Sequence, residues 1–133
     1  MSLPYLSLAW IEEADRLLRA APLDPPVPEP GFSVETVVTG GPNGDNGYVV
    51  EFRGETMTAR HAPPGGGATV RLTQDRAVAV AVARGERSAQ QAFLAADIQV
   101  GGDVATLIAH AGLVAKIGDV LAPLRERTTF PST

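Results

Sequence analysis

The residues that could do acid–base, nucleophilic or metal chemistry are few, and their spacing brings none of them together. Two histidines are present, His61 and His110. His61 lies in a stretch of prolines and glycines, and His110 lies inside an apolar helical run. The acids nearest His110, Asp103 and Asp119, are seven and nine residues away, which is not ligand or relay spacing. There is no cysteine, so disulfides, thiolate metal sites and a cysteine nucleophile are all excluded. None of the serines (Ser2, Ser7, Ser33, Ser88, Ser132) sits in a G-x-S-x-G elbow. Ser88 instead precedes Ala-Gln-Gln, the pattern of a capping box closed by Gln91. Glu12 and Glu13 are adjacent on a helix and point apart, so they cannot converge on a substrate. The expectation is a chain with no catalytic residue, no metal site and no cofactor.

Two features carry a binding alternative. A strand, then Gly101-Gly102, then a helix start has the outline of a phosphate-binding turn. The third glycine of such a loop and a following lysine are missing, and Asp103 would place a negative charge at the helix mouth. A tight strand-to-helix turn is the favoured reading. Arg71, Arg76, Arg84 and Arg87 could hold an anionic head group, such as a carboxylate or a coenzyme A phosphate. Asp75 and Glu86 are interleaved with them, which favours local ion pairs.

The elements that would position these residues are legible from periodicity. Ser7 caps an amphipathic helix to about Ala20, with Trp10, Ile11, Ala14, Leu17 and Leu18 on one face. Glu12–Arg16 and Asp15–Arg19 are its expected i,i+4 pairs. Residues 22–31 hold five prolines and read as an extended connector. The period then changes to two: strands are expected at Val34–Thr39, Tyr48–Arg53, Thr56–Arg60 and Ala68–Thr73, the middle two separated by Gly54-Glu55. Gly40–Gly47 is turn chemistry, and His61–Gly67 is a loop. Thr73 is read as the cap of a helix to Arg84, with Gly85 after it. Ser88 caps a helix over Ala89–Ala96, Ile98–Val100 is a short strand, and Asp103 caps a terminal helix running to Leu121. The tail 125–133 is expected to fray. The strand-helix-helix-strand connection suggests a crossover and one parallel pair. The fold class is α+β, a five-stranded mixed sheet with helices covering one face.

With 133 residues the chain is read as one domain, and a net charge of −4 makes nucleic acid and anionic membranes poor partners. The early acids Glu12, Glu13 and Asp15 do not suit a signal peptide. The longest apolar run, Val104–Leu124, is interrupted by His110, Lys116 and Asp119, so stable membrane insertion is not expected. A cytoplasmic protein, monomeric or weakly dimeric, is the expectation. What the chain has in surplus is apolar helix. Val104, Leu107, Ile108, Ala111, Val114 and Gly118 form one stripe of the last helix; Leu113, Ile117, Val120 and Leu124 form a second. Such a helix is either sandwiched in a core or lines something apolar. Periodicity favours the sandwich, while the many Ala and Gly positions leave room.

The segment Ser88–Ile108, S-A-Q-Q-A-F-L-A-A-D-I-Q-V-G-G-D-V-A-T-L-I, resembles the signature of the sterol carrier protein type-two family. Phe93, Leu94, Ile98, Val100, Gly102 and Asp103 carry the match. The preceding elements fit as well, from the helix with Trp10 to the strand ending V-R-L-T, so the resemblance covers residues 5–124. It implies a tunnel between sheet and helices that takes a sterol, fatty acid, acyl-coenzyme A or phospholipid without a cofactor. Phe93, Leu94, Ile98 and Val100 would border it. Inward parity adds Val50, Phe52, Leu107, Ile108, Val114 and Ile117. At ~0.8 kcal/mol per buried methylene, about ten methylenes supply a gross ~8 kcal/mol, the scale of micromolar binding. The expected function is noncatalytic binding or transfer of an apolar lipid. The alternative is an accessory or oligomerisation module whose last helix is a protein interface without a lipid, and an enzyme is a third reading, for example of thiol-dependent isomerisation. The chain departs from the family in its proline connector and Gly-rich 41–47 loop, and in ending Pro-Ser-Thr without a peroxisomal tripeptide.

Overall fold

In the computed structural model residues 3–23, 26–41, 44–61 and 68–130 are described. In chain order the strands are β1 Leu3–Pro4, β2 Val27–Gly41, β3 Gly44–Gly54, β4 Thr56–His61, β5 Val70–Asp75, β6 Gln99–Gly102 and β7 Thr128–Thr129. The helices are α1 Leu8–Arg19, α2 Arg76–Ala83, α3 Ala89–Leu94, α4 Val104–Ala109 and α5 Ala111–Leu121, followed by a 3-10 turn over Ala122–Arg127.

Capping chemistry sets most of the helix starts. Ser7 Oγ accepts from the Trp10 amide, Ser88 and Gln91 form the reciprocal capping box, and Asp103 Oδ1 accepts from the Thr106 amide. Gly85, with φ +79°, follows α2; its amide bonds Val82 O while the Glu86 amide bonds Ala81 O. The cap of α2 is Asp75, not Thr73. Thr73, Gln74 and Asp75 are held in the sheet by pairing with Val37, Val38 and Thr39, so the strand outlasts the local helix signal. On α1 the Asp15–Arg19 pair forms at 2.8 Å, but Arg16 turns to Glu13 rather than Glu12.

The five-stranded sheet runs β4-β3-β2-β5-β6, a mixed sheet as expected. Its parallel pair is β2–β5, whereas β5 and β6, across the two-helix connection, are antiparallel. One helix between strands returns the chain for a parallel partner; a second helix adds a further reversal. The connector reading of residues 22–31 also gives way, because β2 already begins at Val27. Pro28 and Pro30 are tolerated there because β5 pairs only with residues 34–39, and the register to β3 shifts between Val27 and Phe32. The expected turn over Gly40–Gly47 narrows, with Gly41 pairing Gly44; residues 42–43, like 62–67 of the next loop, lie outside those described.

The core lies on the face built from alternate strand residues. Val34, Val50, Phe52, Met57 and Val70 are each at most 2% exposed, and Leu18 of α1 packs against them. Burial of each large apolar side chain contributes about 1.5–3 kcal/mol. The Phe32 and Phe52 rings stack at 4.6 Å. Helix α1 also closes an edge: the Ala59 amide of β4 donates to Asp15 Oδ1 at 2.7 Å, a donor that an edge strand would otherwise leave open.

Two departures concern the C-terminal region. The expected continuous helix is broken at His110, whose φ/ψ of −118°/27° leaves the α region and separates α4 from α5. The His110 ring stacks on Phe32 at 4.6 Å, so the break is held against the sheet. The tail does not fray at residue 125. Leu124 is 1% exposed, Trp10 Nε1 donates to Thr128 Oγ1 at 3.0 Å, and β7 pairs in parallel with β1. Residues 131–133 lie outside those described.

Candidate apolar binding cavity

Strand residues two apart share a face, so the sheet register lays out a floor row by row. Val50, Val34 and Val70 are aligned across β3, β2 and β5 in an entirely apolar row. The next row holds Tyr48, Thr36, Leu72 and Val100, and the row beyond it brings Gln74 beside Val38. Polarity therefore rises along the floor from one end to the other.

Above this floor lies a cavity of about 170 Å³. Val34, Thr36, Tyr48, Leu72 and Gln74 form its base and Ile98 one side. Val114, Ile117, Gly118 and Leu121, at the i, i+3, i+4 and i+7 spacing of a single stripe, bring α5 over it. Ala79, Val82 and Ala83 of α2, Tyr5 and Trp10, and Leu124, Arg125 and Thr128 of the C-terminal segment complete the lining. Trp10 meets Tyr5 edge-on at 5.2 Å and Tyr48 at 5.7 Å, and its bond to Thr128 ties this aromatic corner to the C-terminal segment.

The polar groups of the floor, Thr36, Tyr48 and Gln74, are neutral. Tyr48 faces Thr36 across the β2–β3 ladder. Burial pushes the Tyr48 phenol up, and burial together with the neighbouring Tyr48 pushes Tyr5 up, so both stay protonated. Gln74 Oε1 is buried and has no hydrogen-bond partner.

Of the residues expected at the site, the structure places Ile98, Val114 and Ile117 on the cavity wall. Val50 and Phe52, at 1% and 0% exposure, are core residues, and Val100 and Leu107 pack half-buried against the same core. Phe93, Leu94 and Ile108 stand at the surface, 47%, 75% and 72% exposed. Helix α3 is only Ala89–Leu94 and buries Ala92, so the next two positions turn away from the protein. On α4, Leu107 packs inward and Ile108 lies about 100° further round the helix.

Tyr5, Thr36, Leu72, Gln74, Ala79 and Val82 were not expected on the wall. Alternation already put Thr36 with Val34 and Tyr48 with Val50 and Phe52, which is the signal that finds them. Gln74 was hidden because its position reads as a helix start.

The two binding alternatives resolve into structure. Arg71 pairs with Glu35 at 2.9 Å and Arg87 with Asp97 at 2.8 Å, while Arg76 and Arg84 lie over the Tyr5 and Phe130 rings. Gly102 has φ +80°, and a Cβ there would meet Thr69 O at 2.4 Å, so this is a close strand-to-helix turn. Among the described residues no group of His, Asp or Glu could hold a metal ion, and no helix is long and apolar enough to cross a membrane.

No family model matches the chain, and no curated protein is similar to it in sequence. Solved structures are similar in fold. A conserved hypothetical protein of Thermus thermophilus, described as possibly a sterol carrier protein, is 18% identical with a TM-score of 0.70; the match covers 99% of this chain and 96% of that one. A crystal structure of sterol carrier protein 2 is 16% identical with a TM-score of 0.66, over 89% of this chain and 97% of the other. A palmitated sterol-carrier-protein-2-like protein from Aedes aegypti is 17% identical with a TM-score of 0.58, over 91% and 95%. The chain has the sterol carrier protein 2 fold.

Proposed function

We propose that this chain binds and carries an apolar lipid between its sheet and its helices, without doing chemistry on it. The observation that carries the reading is the cavity itself: a floor and roof of Val34, Leu72, Val114, Ile117 and Leu121, with no ionised side chain at its base. The fold shared with sterol carrier proteins, one of them palmitated, supports the same reading. Ile98, Val114 and Ile117 are the expected site residues that would touch the ligand directly. Val50, Phe52, Val100 and Leu107 would shape the wall from behind. The chain acts as one domain over residues 5–124 with its C-terminal segment docked.

The test is native mass spectrometry of freshly purified protein, solvent extraction of any copurified lipid, and titration with a fluorescent fatty acid and a fluorescent sterol. A bound or exchangeable lipid at one-to-one stoichiometry is expected. Protein that carries none and takes up neither probe would end the proposal.

A further inference from the structure

The cavity is not uniformly apolar, and its one polar end has a definite hydrogen-bonding character. Thr36 and Tyr48 are cross-strand partners on the floor, and Tyr5 lies near Tyr48 under Arg76. Gln74, on the next row of the floor, lines the cavity but leaves its Oε1 buried and without a partner. An unpartnered buried acceptor is a standing cost to the fold, relieved by any donor that reaches it.

We infer that the cavity selects an apolar ligand ending in a neutral hydrogen-bond donor, a hydroxyl, with the hydroxyl donating to Gln74 at the polar end and the hydrocarbon along the apolar rows. This rests on the lipid-carrier reading and narrows it. A carboxylate fits this acceptor poorly: it has no proton to give Oε1, and its charge is costly to bury unless paired. Arg125 of the lining does not supply a buried counterion. Its Nε is committed to Ala83 O at 3.0 Å, and an ion pair in its exposed position is largely solvated.

The experiment compares 1-decanol, decanoate and methyl decanoate at pH 7.4 by chemical-shift titration, on the wild-type chain and on Gln74→Leu and Ile108→Ala. The three probes share a hydrocarbon tail and differ in the head: donor, charged acceptor, neutral acceptor. The alcohol should bind the wild type about tenfold more tightly than the ester and the carboxylate more weakly still, the scale of one buried hydrogen bond. In Gln74→Leu alcohol and ester should fall within twofold of one another, while Ile108→Ala, at a surface position off the cavity, keeps the preference for the alcohol. Equal binding of alcohol and ester to the wild type, tighter binding of decanoate, or an unchanged ranking in Gln74→Leu would overturn the inference and leave lipid binding standing. If no probe binds, the lipid reading falls and this inference with it.

Discussion

Replacing Gly118 by leucine should stabilise the protein while abolishing ligand binding, two effects that a purely structural helix would not link. Gly118 sits on the α5 stripe between Val114 and Leu121 that lines the cavity, and a Cβ added there meets nothing within 4 Å. Removing a glycine from a helix interior is worth about 1 kcal/mol. The added leucine carbons gain up to about 0.8 kcal/mol each where they leave water, offset by about 0.5–1 kcal/mol of lost rotamer freedom. Gly118 is exposed at the cavity rim, so only part of the side chain is covered, and a net gain of about 2 kcal/mol is expected. For a domain of this size that is a rise in Tm of about 8 °C. The part of the side chain that enters narrows a 170 Å³ cavity, so affinity for 1-decanol or a fluorescent fatty acid should fall at least tenfold. Differential scanning calorimetry and the titration are run on the same preparation. A lower Tm would mean that the space at Gly118 is not there; unchanged affinity in a stabilised variant would mean that lipid binds elsewhere.

Four further outcomes follow from the same geometry. Arg71→Ala leaves the fully buried Glu35 without its 2.9 Å partner and should cost about 2–3 kcal/mol in urea unfolding, with Glu35→Leu restoring stability in that background; a neutral Arg71→Ala would refute the pairing argument. Hydrogen bonds from Arg16 and Arg127 hold the Glu13 carboxyl at about 2 instead of 4.5. Its contribution is therefore complete above that ordinary value and lost as pH falls from 4.5 towards 2, so urea midpoints of wild type and Glu13→Gln should converge only in that window. Leu124→Ala should cost about 3 kcal/mol, because this residue, which leads into the expected tail, is buried against Trp10 and Ile11; a loss under about 0.5 kcal/mol would return the segment to a frayed end. Ile117→Ala should weaken lipid binding severalfold while Ile108→Ala leaves it unchanged, and the reverse order would move the site to the outer face of α4.

Much of this fold was legible in the sequence because its signals are local. Ser7, Ser88 and Asp103 read as caps and are caps; Val34, Val50, Phe52 and Val70 read as inward by alternation and are buried. What escaped depends on partners distant in the chain. Asp75 rather than Thr73 caps α2 because β2 holds β5 in extended form for two more residues. The break at His110 has no proline to announce it, and its ring rests on Phe32, far away in sequence. The tail reads as polar and proline-marked, yet Thr128 is fixed by a tryptophan that precedes it by most of the chain. The site was only half legible for a related reason. Apolar character identifies Ile98, Val114 and Ile117 but does not separate them from Phe93, Leu94 and Ile108, since exposure is decided by how far each short helix has turned when it meets the sheet.

The size of the cavity constrains how such a protein could carry a lipid. At about 170 Å³ it is close to the ~150 Å³ hollow that holds a benzene, and below the ~300 Å³ where ordinary ligand sites begin. A chain of ten or more methylenes therefore requires a wall to move. The floor is the wrong wall: Val34 and Val70 are at most 2% exposed and tied into ladders on both sides. The roof is different. Neither α4 nor α5 contains a fully buried residue, and the chain between them already leaves helical geometry at His110. Lifting α5 exposes half-buried Val114, Ile117 and Leu121, and the hydrocarbon of the ligand covers those same side chains. The apolar packing that roof and floor give up is thus regained between roof and lipid, so opening costs the complex less than it costs the empty protein. A ligand too short to reach α5 gains no such return. On this reasoning affinity should rise with chain length more steeply once the roof has moved than while the ligand fits inside the closed cavity.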